Sequence, residues 1–113
     1  MEKIHAIITG VGAYLPDYVL TNEELSRMVD TSDEWIMERI GIKERRIQRE
    51  RGKATSDMGV EAIRDLFSKT GTKPEEVDLL ICATVTPDMR FPATSCLIAD
   101  KLGIRNAFAF DLS

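Results

Sequence analysis

The chain has 113 residues, of which 43% are hydrophobic and 30% charged, with a net charge of −4 and a pI near 5.0. These are globular proportions, and the acidic balance argues against nucleic acid as a partner, since that requires an excess of Lys and Arg. No apolar stretch approaches the ~20 residues that span a bilayer, and the first residues alternate charge with Ile and Ala rather than forming the apolar block of a signal peptide. We therefore expect a cytoplasmic protein of at most one small domain without a membrane partner.

The first predicted element is a strand over residues 4–12, a β-rich run that ends in glycines. Gly10 and Gly12 suggest the start of a dinucleotide-binding fingerprint, but the third glycine is missing. Pro16 would also block the helix that a pyrophosphate site requires. A strand followed by a turn is therefore favoured over a nucleotide site.

Two capping boxes, at residues 21–24 and 31–34, predict two short helices. The second helix is predicted over residues 32–40 and ends at Gly41. Trp35 and Arg39 are one turn apart and share a face of this helix.

The next segment, residues 43–53, is predicted to begin as a strand around 42–47 and to continue as a polar loop. Its cations could bind phosphate, but interleaved glutamates favour a solvated surface. A helix over residues 55–69 follows, with an apolar face and Gly71 as its stop.

The nearly continuous apolar run at residues 77–85 predicts a central strand covered on both faces. A helix with Pro92 in its first turn and Gly103 at its end comes next, and residues 107–112 form a last strand. This alternation predicts a layered α/β sandwich with a largely parallel sheet.

The two cysteines, Cys82 and Cys96, lie in apolar surroundings without a CxxC spacing. A metal site or a disulfide framework is therefore not expected. A nucleophilic thiolate would need a positive neighbour, which Cys82 lacks in the sequence. Both residues are interpreted as small buried hydrophobic side chains.

Several stretches, taken in order, resemble the type III β-ketoacyl-acyl-carrier-protein synthases of the thiolase superfamily. They are residues 12–16, 20–22, 29–36, 39–42, 44–47, 55–57, 83–88, 91–94 and 109–113. The run Asp-Thr-Ser-Asp-Glu-Trp-Ile at residues 30–36 is the most specific of them. The resemblance implies a thiolase-like layered α/β/α sandwich, of which residues 1–113 would be an incomplete amino-terminal part.

The family resemblance implies a decarboxylative Claisen condensation that initiates fatty-acid synthesis. Acetyl-CoA or a short acyl-CoA acylates a cysteine, and malonyl-acyl-carrier protein then extends the acyl group with loss of carbon dioxide. The CoA thioester is a substrate, so no cofactor and no metal are implied. The implied partners are the acyl-CoA, the carrier protein and a second copy of the protein in a homodimer.

No catalytic residue is expected in this chain. The family's nucleophilic cysteine follows the Phe-Asp-Leu-Ser strand, residues 110–113, after two further small residues, and the chain ends at Ser113. Its one histidine, His5, lies on the first predicted strand and is interpreted as structural. The 113 residues alone are therefore expected to be inactive.

Three residues match family positions that bind CoA. Trp35 matches a residue that stacks on the adenine, Thr31 one that hydrogen-bonds the adenine, and Arg39 an arginine near the nucleotide phosphates. The structural alternative is that Trp35 anchors its helix to the core and Arg39 pairs with an acid such as Glu34 or Glu38.

Two further positions bear on the acyl chain. Ile40 departs from the family, which usually has threonine beside the pantetheine entrance, so one polar contact would be lost. Phe91 matches an aromatic residue that crosses the two-fold axis of the dimer and limits the partner's acyl pocket, while its structural alternative is a hydrophobic staple before the Pro92 helix.

Two other functions remain open on the sequence. One is a non-catalytic module that binds CoA or dimerises with a ketosynthase. The other is a related synthase that condenses acetyl-CoA with acetoacetyl-CoA or uses aromatic or branched primers. For a fragment of a larger synthase, whose first half packs against its second half and a partner subunit, the strands near Val77 and Ala107 are expected to expose apolar faces, which predicts self-association.

Overall fold

The computed structural model describes residues 3–113, which form two compact units. One unit is Leu15–Gly52, and the other comprises the residues up to Tyr14 together with Lys53–Ser113. Within the described residues, no helix is both long and apolar enough to cross a membrane.

The Leu15–Gly52 unit contains two short strands and two helices: β1 (Val19–Thr21), α1 (Asn22–Ser26), α2 (Asp33–Ile40) and β2 (Glu44–Arg46). Strands β1 and β2 pair antiparallel. The sequence predicted both helices and β2, but β1 was not predicted because three residues are too few to show a periodic pattern.

The other unit carries a parallel β–α–β arrangement against a long helix. Its elements are α3 (Thr55–Thr70), a 3₁₀ turn (Pro74–Glu76), β3 (Leu79–Ala83), α4 (Thr94–Leu102) and β4 (Phe108–Leu112). β3 and β4 pair in parallel, as predicted, with Leu79 opposite Phe108. The core lies between the sheet and the two helices and contains Val60, Leu80, Ile98, Ala99 and Ile104.

The opposite face of the β3–β4 sheet is uncovered. Because side chains alternate along a strand, every second residue points away from α3 and α4. The residues on this face are Leu79, Ile81, Ala83, Phe108, Phe110 and Leu112, and all six are exposed. The expectation that residues 77–85 are covered on both faces is wrong for this chain, whereas the expected exposure of apolar faces on these two strands is confirmed.

The strand predicted over residues 4–12 does not form. Residues 3–12 have no regular secondary structure, and the side chains of Ile4, Ile7 and Ile8 are largely exposed. A β-rich sequence becomes a strand only when a partner strand satisfies its backbone groups, and none pairs with it among the described residues. Gly12 instead lies against α3, where a β-carbon would come within 2.3 Å of the Ala62 carbonyl oxygen.

Two details of the predicted helices also differ. The cap of α2 is Ser32, whose hydroxyl accepts from the Trp35 backbone N–H, so Thr31 lies one residue outside the helix. Helix α4 begins at Thr94 rather than at Pro92, because the N–H groups of Thr94 and Ser95 are satisfied by the Asp111 carboxylate.

Candidate functional site

Helix α2 and the residue before its cap carry the three residues that were predicted to bind CoA, with Thr31 and Trp35 at its start and Arg39 in its last turn. The hydroxyl of Ser32 caps the helix at 3.2 Å from the Trp35 nitrogen, and Gly41 ends it in the left-handed conformation with φ of 68°. Between these ends, Ile36 is the buried residue of the helix. Trp35, one position earlier, lies about 100° around the helix from Ile36 and is exposed.

Trp35 and Arg39 form an exposed pair. The Trp35 side chain is 55% exposed, and the guanidinium carbon of Arg39 lies 5.6 Å from the centroid of its ring, a cation–π distance. Among the ion pairs within residues 3–113, none involves Arg39. The structural alternative, in which Trp35 anchors the helix and Arg39 pairs with an acid, is not what the structure shows.

An open cavity of about 400 Å³ adjoins this pair. It is lined by Asp30, Thr31, Ser32 and Trp35. The lining combines one flat aromatic surface with three polar side chains, which is the combination that binds a heteroaromatic ring and fixes its orientation. Asp30, whose carboxylate lines this cavity, was not singled out from the sequence.

The position of α2 is fixed by Asn22, which the sequence analysis missed as a site determinant. The side chain is 2% exposed and uses both ends of its amide. Its nitrogen donates to Asp33 Oδ1 at 2.7 Å and to the Ile42 carbonyl at 2.8 Å, while its oxygen accepts from Arg45 Nη1 at 2.9 Å. One buried amide therefore joins α1, both ends of the α2 segment and β2.

The basic segment after α2 is occupied by structural contacts. Arg45 contacts Asn22, Arg46 donates to the Pro16 carbonyl at 3.1 Å, and Arg49 lies 3.3 Å from a Glu24 carboxylate oxygen. These partners account for three arginines of the segment without a phosphate ligand. The solvated surface expected from the sequence is thus partly a set of hydrogen bonds within the unit.

The two cysteines differ in environment. Cys82 is half-buried on β3, and burial, together with the carboxylates of Asp111 and Asp88, raises the pKa of its thiol. A raised pKa disfavours the thiolate that a nucleophile needs. Cys96 is exposed at the start of α4, so the interpretation of both cysteines as buried is wrong for Cys96.

Phe91 lies on the segment between β3 and α4 and is 88% exposed. It does not pack as a staple onto α4. Ile40, at the end of α2, is also exposed. Within residues 3–113, no group of three or more His, Cys, Asp or Glu side chains is arranged to hold a metal ion.

Comparison with known proteins relates this arrangement to one family. The chain is 62% identical over 112 residues to a β-ketoacyl-[acyl-carrier-protein] synthase III of Phocaeicola vulgatus, covering 99% of the chain and 34% of that relative. It is also 61% identical to the β-ketoacyl-[acyl-carrier-protein] synthase III 2 of Bacteroides thetaiotaomicron, and this match covers 99% of the chain and 33% of that relative. Nearly the whole chain is therefore similar to one third of a β-ketoacyl-[acyl-carrier-protein] synthase III.

Solved structures agree with the sequence comparison. The crystal structure of the synthase III of Aquifex aeolicus matches with a TM-score of 0.85 and 48% sequence identity, and this match covers 93% of this chain and 33% of that protein. The priming β-ketosynthase of the R1128 polyketide pathway matches with a TM-score of 0.84 and 40% sequence identity, and this match covers 94% of this chain and 31% of that protein. The fold is thus a partial thiolase-like α/β fold. No family model matches the chain.

The chain spans about a third of the length of the synthase III relatives that it matches. The match to a priming β-ketosynthase of a polyketide pathway shows that proteins with different named roles share this part of the structure.

Proposed function

We propose that this chain supplies the coenzyme A-binding surface of a synthase III that condenses an acyl-CoA with malonyl-acyl-carrier protein. The acyl group passes from CoA to a cysteine thiol and free CoA leaves. Malonyl-acyl-carrier protein then loses carbon dioxide, and the resulting carbanion attacks the thioester carbonyl, which releases the thiol and forms a 3-oxoacyl-carrier protein. The identity of 62% to a synthase III supports this assignment.

The observation that carries the proposal is the exposed Trp35–Arg39 pair beside the polar cavity. The adenine ring stacks on the Trp35 indole, Thr31 hydrogen-bonds the ring edge, and Arg39 binds the nucleotide phosphates. The exposed indole and the arginine, which has no ion-pair partner among residues 3–113, are both open to a ligand, and their chemistry matches that of a phosphorylated adenosine.

The nucleophile lies outside these 113 residues. The raised pKa of Cys82 keeps that thiol protonated, and Cys96 is on the surface of α4. The chain therefore contributes binding and positioning rather than covalent chemistry, and by itself it is inactive in condensation.

Phe91 borders the acyl pocket of a second copy in a homodimer. Its exposure of 88% and its place at the tip of a loop suit a side chain that is buried by another molecule. The protein works in the cytoplasm with acyl-CoA and malonyl-acyl-carrier protein as its substrates.

Fluorescence of the 113-residue chain tests the CoA site directly, because Trp35 is its one tryptophan. Stacked adenine is expected to quench Trp35 emission, since base–aromatic stacking contributes about 1–3 kcal/mol. Pantetheine, which lacks the nucleotide, serves as the matched control ligand. Equal quenching by CoA and pantetheine, or none by either, would contradict the assignment.

Variants of Arg39 and Thr31 test the contacts to the nucleotide phosphates and to the adenine separately. Arg39→Ala should raise the Kd for CoA about tenfold, which corresponds to the lower end of the contribution of a charge-assisted hydrogen bond. The Kd for adenosine, which carries no phosphate, should change little. Thr31→Val should weaken binding, and Thr31→Ser, which keeps the hydroxyl, should bind close to wild type.

A further inference from the structure

The segment that carries Phe91 is a closed loop. The backbone N–H of Asp88 donates to the Thr94 hydroxyl at 3.3 Å, which joins the two ends of the loop, and Phe91 lies midway between them. Thr94 is fully buried, whereas Phe91 is almost fully exposed. The loop therefore has a fixed base and a projecting aromatic tip.

The base of the loop is tied to the start of α3 through Asp88. Its carboxylate accepts from the Ser56 N–H at 2.8 Å and from the Ser56 hydroxyl at 2.5 Å. Ser56 has no exposed surface, and its oxygen also accepts from the Lys101 ammonium at 2.7 Å. Two bonds to one buried residue define both the position and the orientation of the Asp88 carboxylate.

Two further bonds fix the flanks. The Thr55 hydroxyl donates to the Thr86 carbonyl at 2.7 Å, before the loop, and the Thr94 N–H donates to Asp111 at 2.7 Å, after it. Ordering each loop residue costs about 1–2 kcal/mol in backbone entropy, so an unrestrained loop would not hold a bulky side chain in one place. The side-chain hydrogen bonds described for this loop lie at its base and flanks rather than at its tip.

We propose that Asp88, held by Ser56, is a positioning residue that fixes Phe91 and through it the choice of acyl primer. The proposal rests on the proposed function, in which Phe91 limits the acyl pocket. A pocket wall discriminates between chain lengths only while it stays in place, because one methylene in an apolar pocket is worth about 10–200-fold in kcat/KM. If the base of the loop is released, Phe91 remains present but its position is less defined, so the pocket wall discriminates less between chain lengths.

The test uses the full-length enzyme and the ratio of kcat/KM for acetyl-CoA to that for hexanoyl-CoA. Asp88→Ala should shift this ratio about tenfold in the same direction as Phe91→Ala. Asp88→Asn, which keeps one acceptor for the Ser56 N–H, should shift it less. Asp100→Ala, at an exposed aspartate of α4, is the matched control and should leave the ratio unchanged.

The double variant shows whether Asp88 acts through Phe91. In the Phe91→Ala background, Asp88→Ala should produce no further shift of the ratio, since non-additive effects identify residues that act as a unit. Full additivity would overturn the proposal. Should Asp88→Ala fail to fold, Ser56→Ala replaces it in both experiments, because it removes the hydroxyl bonds to Asp88 and Lys101 but keeps the bond from the Ser56 N–H to Asp88.

The outcomes separate the two proposals. A wild-type enzyme that does not condense acyl-CoA with malonyl-acyl-carrier protein overturns the proposed function and this inference with it. An active enzyme whose ratio responds to Phe91→Ala but not to Asp88→Ala or Ser56→Ala overturns the positioning role alone. An active enzyme whose ratio ignores Phe91→Ala removes Phe91 from the acyl pocket, and the inference falls with that assignment.

Discussion

Replacement of Asn22 by alanine should destabilise the unit that carries the proposed CoA site. The variant loses the bonds to Asp33, Arg45 and the Ile42 carbonyl, which lie at 2.7, 2.9 and 2.8 Å. Bonds to charged partners contribute about 1.5–3 kcal/mol each and a neutral bond about 0.5–1.5 kcal/mol. Because Asp33 is exposed and Arg45 is half-buried, water replaces some of these hydrogen bonds in the variant. We therefore expect the free energy of unfolding to fall by about 2–4 kcal/mol.

Urea unfolding followed by Trp35 fluorescence measures this loss, since Trp35 belongs to the same unit as Asn22. The matched control is Asn106→Ala, an exposed asparagine before β4, which should change the free energy of unfolding by less than about 0.5 kcal/mol. Quenching by CoA should weaken in Asn22→Ala because the bond to Asp33 orients the first turn of α2. Equal stability of the two variants would refute the role given to the buried amide.

Three other changes test separate parts of the structure. Gly12→Ala should cost about 1–3 kcal/mol in thermal unfolding, since its β-carbon meets the α3 backbone, and Gly10→Ala should cost less because its neighbours are movable side chains; equal losses would contradict this packing. The hydrogen bond from Lys101 and the N–H of Ala54 lower the pKa of Asp57, so this carboxylate stabilises the fold above pH ~4 and loses that effect as pH falls through its folded-state value. The stability gap between wild type and Asp57→Asn should therefore be present at pH 7 and close below pH 4, and a gap independent of pH would refute it. Phe110→Ser should reduce self-association of the 113-residue chain in sedimentation, and a wild type that stays monomeric at high concentration would remove the basis for that expectation.

Elements specified by local patterns were predicted well. Helix α3 follows from its apolar spacing, and its end at Gly71 and that of α2 at Gly41 follow from the freedom of glycine at positive φ. Strand β4 follows from its apolar composition. The pairing of Trp35 with Arg39 follows from their spacing by one helical turn.

Features that depend on distant partners were not predictable from spacing. A strand at residues 4–12 needs a neighbour that local sequence does not reveal, and the exposure of Cys96 depends on which face of α4 meets the sheet. The bonds of Asn22 join residues 11 to 23 positions apart. The Ser56–Asp88 contact, across 32 positions, is likewise a product of the tertiary fold.

A structure of the full-length protein with bound CoA would show whether Trp35, Thr31 and Arg39 bind the nucleotide. We expect the adenine ring to lie parallel to the Trp35 indole, with the Thr31 hydroxyl at its edge and the Arg39 guanidinium at the nucleotide phosphates. An adenine bound elsewhere, with the Trp35 indole still open to solvent, would contradict it.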